Sequence, residues 1–332
     1  MKYSFEPYLT CLPLLHQGKV RDSFGGTTTE GTFLVVATDR LSTHDVVHRS
    51  LIPDKGYILT AMTIFWIQEI LGDIEHHVVA YGLDIYNHLP ENKDYPVDLH
   101  LRGLIVKKLD MIPYELIFRS YLTGSLWDKF VSKGLANPYG IEVDEGMGLM
   151  SPFTPIAFTP TEKSATDDPV SSEMMRQQYP EAVFLARQVY HSGRAYALQR
   201  GIDIIDFKCE VGMHDREYVL ADEWLTPDCC RFVRSEDIVL GKNPPWLDKQ
   251  VFRDYAVSEW KRLQETPQDI SSIITTFLKK FLIGVQDVTG NTKPPLEFPE
   301  EIILQGAGTY HDVFETLTGY MLVAFQSAYL EN

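Results

Sequence analysis

Apolar residues change their spacing along the chain, and each change marks an element. Phe33-Leu34-Val35-Val36-Ala37 is a β-branched apolar run between polar stretches, which predicts a buried strand followed by a loop over Thr38 to Asp45. Ala61, Ile64, Phe65, Gln68 and Leu71 recur at helical spacing, so a helix with one apolar face is expected over 60–71. Residues 103–109 predict a strand that stops near Pro113, where a connector between lobes is expected. A further strand is expected over 114–125, turning at Gly124, with a helix over about 126–133. The proline-rich stretch 151–170 predicts a long loop of the functional kind. Val183, Ala186, Val189, Tyr190 and Gly193 place a helix within 172–200, closed by Gly201. Residues 202–224 read as a β-hairpin turning through His214-Asp215-Arg216. The rest is helical in pattern, over 248–264, 269–286 and 308–328. Strands early and helices late predict an α+β fold with largely antiparallel sheets. Two lobes are expected: a β-rich one over 1–110 and an α+β one over 111–332 with a helical end.

Composition narrows the class. Hydrophobic residues make up 44% and charged residues 23% of 332, ordinary for a globular chain. The formal net charge of −16 argues against a surface that grips nucleic acid or an anionic membrane, although it leaves room for a local basic pocket. The apolar runs, such as Phe33 to Ala37 and Tyr320 to Phe325, are far too short to span a bilayer. Met1 to Gln17 lacks the charged start and apolar run of a signal peptide. Cys11, Cys209, Cys229 and Cys230 form neither a disulfide framework nor a zinc spacing, so reduced thiols in a cytoplasmic protein are expected.

Four constellations could carry chemistry. On the hairpin, Asp206, Lys208 and Glu210 are two apart and share a face. A three-residue turn would put Asp222 opposite Glu210, and a five-residue turn would put it opposite Asp206. Both registers bring Asp222 to that same face. Two carboxylates about 5 Å apart are costly unless a cation lies between them, and few hard oxygens suit Mg²⁺ shared with phosphates. A solvated face neutralised by Lys208 is the competing account. The second constellation is Gly18-Lys19-Val20-Arg21 before the Gly25-Gly26 turn, a strand–turn–strand that could cover phosphates or be a plain hairpin. It has neither a Walker A loop nor G-x-G-x-x-G. The third is a basic island over 101–133, where Arg102, Lys107, Lys108, Arg119, Lys129 and Lys133 outnumber Asp110, Glu115 and Asp128. Arginine's planar fork suits phosphate or carboxylate, and Thr123-Gly124-Ser125 could add anion-binding N–H and hydroxyl groups. Ordinary surface charge would look the same. The fourth is Leu225-Thr-Pro-Asp-Cys-Cys-Arg-Phe232, where a Pro-Asp turn would aim Arg231 back at the hairpin mouth or, as a plain β-turn, leave it exposed.

In order, Gly-Lys-Val-Arg-Asp (18–22), Ala-Thr-Asp-Arg-Leu-Ser (37–42), Ile-Pro-Asp-Lys-Gly (52–56), Val-Lys-Lys (106–108), Arg-Ser-Tyr-Leu-Thr-Gly-Ser (119–125), Asp-Phe-Lys-Cys-Glu (206–210), Asp-Glu (222–223), Leu-Thr-Pro-Asp (225–228) and Asp-Lys-Gln (248–250) with Arg253 resemble the SAICAR synthetase family over about residues 10–260. Glu315-Thr-Leu-Thr-Gly319 is similar to that family's C-terminal helix motif. The resemblance implies a two-lobed fold with an ATP-grasp-like nucleotide site. It also implies ligation of L-aspartate to the carboxylate of carboxyaminoimidazole ribonucleotide, with ATP and Mg²⁺ and through an acyl phosphate. A small-molecule kinase of related architecture is the alternative.

The resemblance also implies roles. Gly18, Lys19, Val20 and Arg21 would form the phosphate flap. Lys107, Leu109 and Met111 would meet adenine, and Lys163 would lie near the nucleotide. Glu210 and Asp222 would hold the metal. Lys208 would face the carboxylate or γ-phosphate. Arg119, Ser125, Arg231 and Arg253, with the loop bearing Asp39, Arg40 and Ser42, would bind the substrates. A monomer or homodimer without nucleic-acid or membrane partners is expected. The chain departs from the family pattern at Ser120, at Cys229-Cys230, where small hydroxyl residues are usual, and in an added segment over 265–298.

Overall fold

The computed structural model describes residues 5–164, 166–265, 285–286 and 292–331. Its first sheet is wholly antiparallel, in the order β1-β2-β3-β7-β6. The strands are β1 (Leu14–Gln17), β2 (Arg21–Phe24), β3 (Thr32–Ala37), β6 (Val78–Tyr81) and β7 (Gly103–Lys107). Between them lie a small ladder of β4 (Arg40–Thr43) with β5 (Val46–Leu51), helix α1 (Lys55–Phe65), and the single turn α2 (Leu99–Arg102). The strand expected at 33–37 is β3, and Leu34 and Val36 are wholly buried.

The second sheet is built on one long strand. β12 (Ile202–His214) pairs antiparallel with β9 (Tyr114–Tyr121), β13 (Glu217–Ala221), β14 (Cys230–Arg234) and the two-residue β8 (Asp110–Met111). On its far side β9 carries β10 (Pro152–Phe158) and β11 (Thr161–Glu162). The helix α5 (Pro180–Leu198), preceded by α4 (Ser172–Gln178), packs against β12, burying Val183, Ala186, Val189 and Tyr190. Three further helices, α3 (Gly124–Lys129), α6 (Gln250–Glu265) and α7 (Glu300–Thr318), and then α8 (Leu322–Tyr329), complete the order, with a two-strand ladder of β15 (Val285–Gln286) and β16 (Thr292–Lys293) between α6 and α7. The expected α+β class with antiparallel sheets and C-terminal helices is what forms.

Several local expectations need correction. The helix expected over 60–71 begins earlier and ends as a π turn through Trp66–Ile70. Its α1 part is buried on nearly every face, because α7 and α8 cover the side that a one-sided pattern would leave to water, while Gln68 and Glu69 of the π turn are exposed. Residues 151–170 are not one loop. Two of their prolines, Pro152 and Pro155, sit on β10, at an edge where a missing N–H leaves no ladder bond broken, with a bulge between Pro152 and Ala157. The single helix read over 172–200 breaks at Tyr179-Pro180. Gly201 does follow the helix in the left-handed conformation. Of the helix expected over 269–286, residues 269–284 lie outside the described residues, and 285–286 are strand.

The segment after β16 is tied down by side chains. Phe298 N–H donates to Ser50 Oγ at 2.8 Å and Leu296 N–H to His48 Nδ1 at 3.2 Å. Because Nδ1 accepts, Nε2 carries the proton and donates to Thr43 Oγ1 at 2.8 Å. His48 is therefore neutral, and burial, with a smaller push from His44, lowers its pKa to about 4 from an ordinary 6.5. His77 is likewise lowered, by burial first, to about 3.

An unfolded chain takes up a proton at these histidines near pH 6.5, whereas the folded chain refuses it until far lower pH. Their contribution is thus complete above about pH 6.5 and lost as pH falls toward about 4. The urea midpoint should fall over that window, and His48→Gln should flatten the fall; an unchanged slope would remove the assignment. A second prediction concerns the α6–α7 contact. A β-carbon on Gly306 would lie 1.9 Å from Phe252 Cζ. Gly306→Ala gains about 1 kcal/mol of helix propensity, but overpacking against a buried ring costs about 1–3 kcal/mol. Net destabilisation in chemical denaturation is expected.

Candidate active site

The hairpin geometry decides where the acidic groups go. The β12–β13 turn has two residues, Asp215 and Arg216, both with positive φ, so His214 pairs Glu217 and Glu210 pairs Ala221. Neither expected register forms. Simple alternation from this register would send Asp222 to the opposite face. Instead Asp222 leaves the strand in a left-handed conformation, φ 59°. Its charge is felt by Glu210, Lys163 and Lys208 all the same. A two-residue turn and one backbone kink achieve what the longer turn was expected to do.

Cations reach this acidic end from three directions. Arg21, on β2 of the first sheet, bonds Asp222 at 3.0 Å and Glu223 at 2.8 Å. Lys163, just past β11, is ion-paired with Glu210. Lys208 donates to Glu115 Oε1 at 2.5 Å, and Thr161 Oγ1 donates to the other Glu115 oxygen at 3.1 Å. Burial and then repulsion by Asp222 push the Glu210 carboxyl up. For Asp222 burial is outweighed, chiefly by Arg21, and its carboxyl stays below the usual range. Burial would lower Lys208, but Glu115 dominates and holds the ammonium charged. Two hard carboxylates forced close, one of them raised by the other, fit a divalent cation that takes its remaining oxygens from phosphate or water. Among the described residues there is no cluster of three or more His, Cys, Asp or Glu able to hold a metal by itself.

A second, deeper cluster lies four residues back along β12, at Asp206. Asp206 sits between two guanidiniums, with Arg119 Nη1 at 2.7 Å and Arg231 ion-paired on the same oxygen, and Arg231 N–H at 3.2 Å on the other. Burial would raise Asp206, but Arg231 and Arg119 hold it low. Arg119 also donates to Thr159 at 2.9 Å and to Ser125 Oγ at 3.3 Å. Gly124 has φ 57°, and a β-carbon there would lie 2.9 Å from the Arg231 guanidinium, so this turn admits only glycine. Ile117, Arg119, Asp206, Lys208, Asp228, Cys229, Cys230, Arg231 and Arg253 line a cleft of about 130 Å³. Beneath it, Asp228 accepts from Tyr310 at 2.6 Å and pairs Lys55 at 2.8 Å. This explains a lysine inside the buried helix α1. Four cations against two carboxylates leave the lining positive, suited to an anion.

The remaining expected site residues fall into two groups. Lys19, paired with Asp45, and Arg21 lie on the β1–β2 hairpin beside the acidic end. Lys107, Leu109 and Met111 follow β7 into β8, beside Gly212 of β12. The loop of Asp39, Arg40 and Ser42 is turned inward. Arg40 is buried, bonds both oxygens of Asp22 at 2.6 and 3.2 Å, and also donates to Gly18 O at 3.1 Å and to Lys19 O at 3.3 Å. Asp39 takes a bidentate bond from Arg102 at 2.9 and 3.1 Å, and Ser42 is buried in β4. Arg253 faces Asp248 at 3.6 Å. Sequence reasoning missed Glu115, Asp228, Lys55 and Tyr310. Asp228, directly after the proline of the Leu-Thr-Pro-Asp turn, and Lys55, within Ile-Pro-Asp-Lys-Gly, carried a signal that could have found them.

A cationic flap from the first sheet, facing paired carboxylates and an anion cleft built around β12 of the second, is equipment suited to phosphates and carboxylates. Comparison narrows the class. Residues 14–270 match the SAICAR synthetase family. The phosphoribosylaminoimidazole-succinocarboxamide synthases of Pichia angusta and Saccharomyces cerevisiae are 35% and 32% identical, over 85% and 93% of this chain and 96% and 95% of their own. A solved SAICAR synthase from Saccharomyces cerevisiae, complexed with SAICAR, superposes with a TM-score of 0.73 at 31% identity, covering 93% of this chain and 96% of that one. A SAICAR synthetase in complex with ADP shares the fold at a TM-score of 0.56 and 20% identity. The chain belongs to the SAICAR synthetase family. It is an ATP-dependent carbon–nitrogen ligase of purine biosynthesis, and nothing favours the kinase alternative. Among the described residues no helix is long and apolar enough to cross a membrane.

Asp206→Asn would leave two buried guanidiniums without their carboxylate. A loss of about 3–5 kcal/mol in chemical denaturation is expected, partly recovered by added phosphate. A neutral effect would show that the cluster is not the electrostatic centre of the cleft.

Proposed function

We propose that the cleft around Arg119, Ser125, Arg231 and Arg253 binds carboxyaminoimidazole ribonucleotide, and that the acidic end of the hairpin receives ATP with Mg²⁺. The observation that carries this reading is the placement of Lys208. It lies on one strand between Asp206 of the anion cleft and Glu210 of the paired carboxylates. A group activated there meets both sites. Lys19 and Arg21 supply the flap cations over the phosphates, Lys107, Leu109 and Met111 the wall against the base, and Lys163 a further cation beside Glu210. Asp39 and Arg40 hold the flap and its surroundings from behind, since their polar groups are spent on Arg102, Asp22 and the flap backbone, while Ser42 stays a candidate for substrate contact. The lobe division over 1–110 and 111–332 is part of the same proposal, with the flap in the first and the hairpin in the second. Four unpaired cysteines favour a cytoplasmic setting, and a monomer or homodimer is compatible with it.

A carboxylate is a poor electrophile. Transfer of the γ-phosphoryl to it gives an acyl phosphate, and attack by the aspartate amine then expels phosphate. Bound Mg²⁺ would be held by Glu210 and Asp222 and would neutralise phosphate charge. The protein's own residues do the positioning. Arg119 and Arg231 fix the ribonucleotide's anionic groups, Ser125 adds a hydroxyl, and Lys208 offsets charge as carboxylate and phosphate converge.

Phosphate release should need ATP, Mg²⁺, L-aspartate and the ribonucleotide together. Hydrolysis independent of aspartate would refute ligation. Lys208→Met should lower kcat by about 10²–10³ with the nucleotide still binding. Glu210→Gln should instead raise the Mg²⁺ concentration needed for half-maximal rate. If that requirement is unchanged, Glu210 is not a metal ligand.

A further inference from the structure

Two thiols stand in the wall of the anion cleft, and the ligation reaction has no use for them. Cys229 and Cys230 are adjacent in sequence, both line the cleft, and their sulfurs lie 3.9 Å apart. Backbone geometry fixes the pair. Cys229 and Cys230 N–H groups both donate to Thr226 O, at 3.1 and 2.9 Å, and Cys229 O accepts from Lys208 N–H at 3.0 Å. Cys229 Sγ is in turn 3.3 Å from Thr226 N–H. Both residues are buried in the cleft wall, and Cys229 Sγ, also 3.5 Å from Thr226 Oγ1, is held in the Thr226 turn, so the pair is reached through the cleft that both residues line.

We propose that Cys229 and Cys230 form a two-sulfur binding site for a thiophilic trivalent centre, of the organoarsenic(III) class. Soft sulfur ligands favour such centres over hard cations. The ligand count selects this chemistry. Zinc requires four donors and in structural sites takes them from the protein, but no third His, Cys, Asp or Glu completes a cluster here among the described residues. An arsenical R–As(OH)₂ brings its own third substituent and needs only two sulfurs. Each S–H proton leaves with one hydroxide, two S–As bonds replace two O–As bonds, and two waters are released. No electron is transferred, so no oxidant is required. Because the thiols condense as S–H, the raised pKa that burial gives Cys230 is no bar. Cys11 lies in a different cluster, half-buried and without a partner thiol, and serves as an internal control.

The test uses the full chain and phenylarsine oxide. Of the four thiols, two should disappear from titration after treatment and unfolding. The intact mass should gain one phenylarsenic group, removable by a dithiol such as 2,3-dimercaptopropanol and far less by a monothiol. Peptide mapping should place the group on the Cys229–Cys230 peptide, a readout that needs no variant. Cys229→Ser and Cys230→Ser should each abolish dithiol-specific capture, with melting curves to confirm folding. Capture that persists in either serine variant, loss of fewer than two thiols, or a bridge through Cys209 would overturn the proposal. The chemistry of capture does not depend on which anion the cleft binds, so its failure would leave the proposed ligation untouched. Failure of the ligation assay would leave this site untouched in turn.

Discussion

A buried carboxylate with two arginines on it holds the cleft together. Asp206 joins three strands, since it lies on β12, Arg119 comes from β9 and Arg231 from β14. Removing three charges from water is expensive, and further bonds offset it: Thr159 and Ser125 on Arg119, and a backbone N–H on Asp206. The glycine at 124, the ladder between β12 and β14 and the Pro-Asp turn before Arg231 all serve to bring these groups together. Two positive forks on one negative group leave a surplus of positive charge facing the opening. A single carboxylate thus makes the cleft both stable and attractive to anions.

Much of this was legible in the sequence. Strand β3 and the α5 helical stripe follow directly from period. That Asp206, Lys208 and Glu210 share a face follows from alternation on a strand, and the half-exposure of Lys208 and Glu210 between buried Phe207, Cys209 and Val211 agrees with it. The unreadable parts have physical reasons. The register of the hairpin depends on positive φ at Asp215, Arg216 and Asp222, which their residue types permit but do not announce. Strand β10 hides behind its prolines, because its edge position excuses them. Glu115 gives no local signal at all. Its partners Lys208 and Thr161 come from strands distant in sequence that only the assembled sheet brings beside β9. Arg40 shows the opposite limit, since a charged loop residue in a site motif is spent on holding the flap's backbone.

Net charge misdescribes such a molecule. The total of −16 is carried unevenly, and residues 294–332 hold acidic groups with no Lys or Arg. The cleft, a few ångströms across, has the opposite sign. Low-dielectric walls keep that local field from being averaged away.

The pairs Lys163–Glu210 and Arg21–Asp222 carry one more consequence. In the free protein each carboxylate proposed for the metal already holds a counter-ion of the protein's own. In the proposed metal role, arrival of a magnesium nucleotide would therefore be an exchange. Glu210 and Asp222 would turn to the metal, and Lys163 and Arg21 would be left within reach of the phosphates that came with it. Charge would change partners while the sum in the site stays near balance, the cations already in place offsetting part of the repulsion between the two carboxylates.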